Sequence, residues 1–309
     1  MLFRQYKDVN MNFKSCYEAL EKQNEEYISL QNSSEMFIGK TFKVLLSLNI
    51  KRIWVCTKMS FFSKIAKKNK KTSDCFFYAK GGALENEKKV AVYSCVTKGY
   101  DLLKDPLLYD DELDYYLISD EKKEKKSIWK YLSIPHEACC FEGGMINRFC
   151  KLNPFLFFAN YDFSIYIDGN IEIVSDIRNL CTIARDSKIG IAMHLHDNRD
   201  CVYIESSVCK LYKRGNIPAI EALMKEYRQE GFPEHFGMVE ATIIIVDLKN
   251  PIAKKIMGEW WKELLRSHSG RDQLSFPYVL WKNGYHISDV GCLGNNRRRN
   301  PKFRTRLHG

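Results

Sequence analysis

One stretch constrains this 309-residue chain more than any other: residues 161–178, YDFSIYIDGNIEIVSDIR. Phe163, Ile165 and Ile167 alternate along it, the period of a strand with a buried face. The run stays uncharged until Asp168, Gly169 and Asn170, then resumes as Ile171, Ile173 and Val174 before Asp176. An apolar strand that stops on an acid and a glycine delivers a carboxylate to a sheet edge, where α/β proteins bind ligands. Asp-Gly between alternating apolar runs is also a strong hairpin signal. The same letters therefore read as an active-site carboxylate or as a tight turn between paired strands.

The flanking sequence supplies strands and helices in alternation. Val90–Val96 reads as a short buried strand feeding a polar loop, Thr97, Lys98, Gly99, Tyr100 and Asp101, and 114–120 (DYYLISD) as a second strand ending in an acid. Nucleotide-binding α/β domains start this way, although one glycine is far weaker than a GxGxxG motif. GGMINRFCKLNPFLFF reads as a helix stopped near Pro154, with Arg148 and Lys151 three apart on one face. Two cations so placed suit a diphosphate; a solvated helix face is the commoner reading of such a pair. Ile189–Leu195 is a strand leading into HLHDNRD, where His194 and His196 alternate and would share a side. Later come a helix over 216–230, a buried strand from Val239 to Leu248, a helix with Ile252, Ile256, Trp260 and Leu264 in register, and another opened by Arg271, Asp272 and Gln273. An acid at a helix start also reads as an N-terminal cap.

Charge divides the chain. Residues 36–73 hold ten Lys or Arg and no acid, and residues 295–309 hold six more, again without an acid. The other 32 basic residues face all 38 acidic ones, which leaves a body of net charge −6 between two basic segments. The first segment mixes lysine with Phe42, Leu45, Leu46, Ile53, Trp54, Phe61 and Phe62, which suits an anionic membrane surface; a helix packed on the body with solvated lysines is the alternative. Residues 1–35 read as a polar helix able to pair with another copy. Eleven cysteines without a CxxC pair point to a reducing cytosol, the vicinal Cys139 and Cys140 being a minor candidate for metal or oxidant chemistry. The first thirty residues lack an apolar secretory segment, and no run approaches the roughly 20 apolar residues of a membrane span. A cytoplasmic protein, peripheral on the inner membrane face, is expected.

The order NRFCKLNP, YDFSIYIDGNIEI, HDNRDCVYIES, GMVEATIIIVDLKNP with EWW, and SGRDQLSFPYVLWK resembles a family of glycosyltransferases. That family includes the plant TOD1-like and mucilage-related proteins and bacterial surface-polysaccharide proteins, and the resemblance covers roughly residues 88–292. It implies an α/β, GT-A-like, Rossmann-type nucleotide-sugar domain with a mostly parallel central sheet over 88–294; the residues outside it read by themselves as a helical basic extension over 1–75 and a basic tail over 295–309. It further implies a nucleotide-sugar donor, UDP-linked, and a glycan or lipid-linked acceptor in lipopolysaccharide or capsule assembly. A Mn²⁺ or Mg²⁺ ion would bridge the donor diphosphate.

Carried over residue by residue, Asp168 matches the first acid of a DxD motif, and Asn170 stands where the second is expected. An amide oxygen ligates a hard cation more weakly than a carboxylate. Thr97, Lys98, Gly99, Tyr100 and Asp120 would meet the nucleoside, and Arg148 and Lys151 the phosphates. Asp272 would be the acceptor-side carboxylate, taking the acceptor proton if the reaction inverts. His286 is a candidate third metal ligand, and His196 and Arg199 line the cleft. Two other classes compete: a nucleic-acid binder using the basic flanks, which the acidic body and the lack of a known module oppose, and a metal-dependent hydrolase using His194 and His196.

Overall fold

A computed structural model of the chain describes residues 76–121 and 127–306. The readings placed on residues 1–75, a membrane-surface segment and a pairing helix, lie outside the described residues. Two compact units are distinguished. One comprises residues 1–77 with Arg298–Pro301; within its described part, the Arg299 guanidinium lies over the Phe76 ring. The other, Tyr78–Arg297 with Lys302–Gly309, carries the folded body.

A seven-stranded sheet organises that body, in the order β3-β2-β1-β4-β7-β6-β8. Its strands are β1 (Val90–Val96), β2 (Leu113–Ser119), β3 (Lys130–Ser133), β4 (Phe163–Ile167), β6 (Ile191–Leu195), β7 (Val239–Asp247) and β8 (Gly291–Cys292). All are parallel except β7, which runs against both neighbours. A mostly parallel sheet is covered on both faces, so its central strands are apolar throughout; β1 is buried at all seven positions. Alternation sorts its side chains: Val90 and Val92 join one core with Leu180, Cys181 and Ala184, while Ala91, Tyr93 and Cys95 join the other with Phe149, Met257 and Trp260.

Helices follow the strands as the sequence spacing requires: α1 (Gly144–Leu152), α2 (Pro154–Phe157), α3 (Cys181–Arg185), α4 (Val202–Leu211), α5 (Ile217–Gln229), α6 (Pro251–Ser267) and α7 (Asp272–Lys282). Asn216 and Asn250 cap α5 and α6 through their side chains, each with proline in the first turn. Helices α4, α5 and α7 close a third apolar cluster around Tyr227 and Tyr278, whose rings stack at 3.8 Å.

The structure overturns the hairpin reading of Asp168-Gly169-Asn170. Strand β4 pairs with β1 and β7, whereas β5 (Ile171–Ile173) pairs with β9 (Phe303–Thr305) in a separate two-stranded sheet. The turn is therefore a crossing between sheets and not a hairpin. The basic stretch after Asn295, expected as a tail, contributes to this unit: β9 comes from it, and Arg304 and Arg306 both pair with the buried Glu172 of β5. Buried acids need such partners, and the basic letters supply them.

Candidate active site

Strand order locates the site. From β1 the chain moves outward to β2 and β3, then returns to place β4 on the other side of β1. Ligands of open α/β sheets bind at such a reversal, beyond the carboxyl ends of the strands. Thr97, Asp120 and Asp168 directly follow β1, β2 and β4, so neighbouring parallel strands bring all three to one edge.

At the end of β1 the chain turns sharply, with Tyr100 N–H donating to Thr97 C=O (3.1 Å). Lys98 and Gly99 both have positive φ (55° and 60°), a conformation costly for lysine. Asp120 offsets that cost by accepting the Lys98 N–H on both carboxylate oxygens (3.0 and 2.9 Å). Its carboxylate thus shapes the loop. The space a Cβ at Gly99 would enter is open, and Tyr100 is exposed.

Alternation along β4 puts Tyr166 and Asp168 on the face opposite Ile165 and Ile167. Tyr166 Oη donates to Asp168 Oδ1 (2.8 Å), and Asn147 of α1 donates from Nδ2 to Tyr166 Oη (3.0 Å) and to Cys95 C=O (2.6 Å). Burial raises the pKa of Asp168, against the pull of Lys151 and the Tyr166 hydrogen bond. Gly169 allows a close approach: a Cβ there would lie 2.7 Å from Val96 Cγ2 and 2.9 Å from Asp101 Cβ. Tyr166 and Asn147 were not singled out in the sequence, whereas Asp101 was named with its loop. Tyr166 alone had a legible signal, two residues before Asp168 on one strand face.

Helix α1 presents Arg148 and Lys151 together, and they do not form a solvated face. Lys151 is only 5% exposed, and its ammonium lies 2.6 Å from Asp272 Oδ2. Arg148 Nε stands 3.9 Å from Asp272 Oδ1. Asp272 is the first residue of α7; Trp260 Nε1 and Ser275 Oγ donate to its carbonyl (2.8 and 3.0 Å). Burial alone would raise its pKa, but Lys151, Arg148 and Arg271 outweigh burial and hold the carboxyl well below the usual range. A carboxylate kept ionised by its neighbours is a weak proton acceptor. The contact with Lys151 suits Asp272 to the fixing of that ammonium.

The two histidines of HLH part company. A register shift after Met193 interrupts β6, and His194 is fully buried; burial, with Arg297 adding to it against Glu240, pushes its pKa down to about 3. His196 lies past the strand, where the Arg199 guanidinium is 3.0 Å from its Nε2 and Arg199 pairs with the buried Glu205. Arg271 also approaches Glu205 (3.8 Å), which links this cluster to the start of α7.

The residues present do not fit the implied metal. Asp168 is one carboxylate, already bonded to Tyr166, with Lys151 and Arg297 in its electrostatic surroundings. Asn170 donates Nδ2 to Arg306 C=O (3.2 Å), and its own carbonyl accepts the Arg306 N–H (2.8 Å). His286 stacks on Phe236 and donates its N–H to Asp289, and no contact joins it to Asp168. Among the described residues no three His, Cys, Asp or Glu side chains gather as a metal site. A hard dication wants six or more oxygens, carboxylates foremost, and one carboxylate beside cations is a poor start.

A family model described as TOD1/MUCI70, glycosyltransferase-like domain, matches residues 62–289. No curated protein sequence matches the chain. Among solved structures it is similar to apo mouse xyloside xylosyltransferase 1, with 11% identity and a TM-score of 0.38 over 65% of this chain and 84% of that one. It is also similar to the mannosyltransferase Ktr4p from S. cerevisiae, with 12% identity and a TM-score of 0.34 over 68% and 69% of the two chains. For the glycosyltransferase GlyE of Streptococcus pneumoniae TIGR4 the values are 12% and 0.34, over 64% of this chain and 44% of that one.

Proposed function

The chain is a glycosyltransferase belonging to the TOD1/MUCI70 family, and we propose that it moves a sugar from a nucleotide-sugar donor to the hydroxyl of a glycan or lipid-linked acceptor. One observation carries this reading: the Thr97–Tyr100 turn, Asp120 and Asp168 share the edge at the strand reversal, with the Arg148–Lys151–Asp272 cluster joined to Asp168 through Asn147 and Tyr166 of the same core.

In this reading the Asp120-braced turn with Lys98, Gly99 and Tyr100 receives the nucleoside, taken as uridine, and Arg148 meets the diphosphate. As the anomeric C–O bond breaks, its electron pair stays with the diphosphate; the acceptor oxygen forms the new bond and its proton passes to solvent. Donors fixed where that charge develops are the usual source of rate in such transfers. Asp168 faces the sugar end, and His196 with Arg199 lines the acceptor side. A divalent ion has no part in this reading, because the donor set does not suit one.

The product is assigned to surface-polysaccharide or lipopolysaccharide assembly at the cytoplasmic membrane face, through residues 1–75 and with pairing through 1–35. No described helix is long and apolar enough to cross a membrane. The nucleic-acid alternative loses cations it needs, since Arg297 pairs with Glu240 and Arg304 and Arg306 pair with Glu172. The hydrolase alternative loses His194 to the core.

Calorimetric titration of the full chain with a panel of nucleotide sugars tests the proposal. One donor should bind in the micromolar to low millimolar range, and Asp168→Ala should weaken it about tenfold or more. Equal binding by wild type and variant, or none by either, contradicts it.

A further inference from the structure

The charge that a metal would bring is already built into the chain. Lys151 sits in the last turn of α1 with its ammonium bonded to Asp272 and 5.3 Å from the centre of the Tyr166 ring, whose hydroxyl donates to Asp168. The cation thus pairs with Asp272 directly and acts on Asp168 across the Tyr166 ring, supplying positive charge to both carboxylates of the site. Both ends of this arrangement are anchored through the backbone. Tyr93 Oη donates to Lys151 C=O (3.0 Å), and Trp260 and Ser275 hold Asp272 C=O. The ammonium is buried against the Asp272 carboxylate, and a dication entering at Asp168 would meet its charge in a site of low effective dielectric. Arg148, with its side chain 21% exposed against 6% for Lys151, reaches further out from the same helix.

We propose that Lys151 is this protein's built-in substitute for the divalent cation: with Arg148 in contact and Lys151 behind it, the site holds a nucleoside diphosphate without any metal. The inference rests on the donor reading above and specifies its electrostatics. Arg148 is the group that touches the phosphates. Lys151 acts over a short distance and orients the site by pinning Asp272, and the carboxylates keep the two cations from repelling each other apart.

The test uses the full chain dialysed against EDTA and titrated with UDP, GDP and ADP, in EDTA and again in Mn²⁺, with Mn²⁺ alone as a separate titrant. At least one diphosphate should bind with dissociation constants agreeing within about threefold between the two conditions, and Mn²⁺ alone should give no saturable heat at millimolar concentration. Arg148→Met should weaken diphosphate binding about tenfold or more, with the thermal melt unchanged within a few degrees. Lys151→Met strands a buried Asp272 charge and so endangers folding. The paired variant Lys151→Met with Asp272→Asn removes both charges, keeps the side-chain volumes, and should show the same loss of binding. Tightening of tenfold or more by Mn²⁺ overturns the inference while the donor reading stands; so does saturable Mn²⁺ binding, or a paired variant that binds like wild type. Failure of every diphosphate to bind under both conditions overturns the donor reading and the inference together.

Discussion

Asp168 and Asp272 are both acids at the candidate site, yet their surroundings push them in opposite directions. Burial raises Asp168, while three cations outweigh burial at Asp272. Replacing each by its amide should therefore have opposite effects on stability. Asp168→Asn removes a carboxylate the fold keeps at a cost, so its melting temperature should equal or exceed that of wild type while donor turnover is lost, the trade-off typical of functional residues. Asp272→Asn leaves the Lys151 ammonium buried without its partner and should cost about 3–5 kcal/mol in urea unfolding. Asp168 was legible in the sequence because an uncharged apolar run led to it. Its partner Tyr166 was legible only as the same-face neighbour two residues earlier on the strand; the hydrogen bond that joins them is seen only in the fold. Asp272 was visible as a helix-start acid; its ion pair with Lys151 joins residues 121 positions apart, beyond any local pattern.

Two elements depend on single residues whose role is geometric. At the β4–β5 crossing, Gly169 leaves no room for a Cβ between Val96 and Asp101. Gly169→Ala should displace the β1 loop, lowering stability by about 1–3 kcal/mol and donor affinity further, as read by unfolding and titration together. Strand β9 closes the small sheet over β5, and its arginines balance Glu172. Deleting residues 302–309 should leave that buried acid unpaired and cost about 3 kcal/mol or more; the companion Glu172→Gln in the shortened chain should recover part of it. Most strands and helices were readable from periodicity and proline or glycine punctuation. Strand β9 was not, because FRT inside a run of six basic residues looks like a solvated tail until Glu172 is placed opposite it. The hairpin reading of Asp-Gly failed for a related reason: both strands were real, but partner choice is set by distant chain.

At the scale of the whole molecule, acid should unfold the protein in two stages. The folded pKa of His194 is about 3 against about 6.5 unfolded, so the unfolded chain takes up a proton that the folded one refuses. Stability is complete above about pH 6.5 and falls as pH drops toward 3, by at most about 1.4 kcal/mol per unit. Asp272, depressed in the fold, adds a second loss of the same sign below about pH 4, where the unfolded carboxyl protonates. Asp168, raised in the fold, acts oppositely, its charge costing stability as pH rises above about 4. Urea midpoints from pH 3 to 8 should trace this profile, and His194→Gln should flatten the limb between 6.5 and 4. The mostly parallel α/β architecture was legible from the alternation of strands and helices. The charge balance of its body was legible only as a sum, because Glu172 and Glu240 meet arginines from the far end of the chain.

The central claim is that Asp168 stands at the reacting end of a nucleotide-sugar site, and turnover tests it most directly. Wild-type protein incubated with a panel of nucleotide sugars should release the nucleoside diphosphate of at least one, by slow transfer to water, at a rate above buffer measured by mass spectrometry. Asp168→Asn, folded by its melt, should fall to the buffer rate. Release from no donor in the panel, or equal release by wild type and Asp168→Asn, would contradict the account.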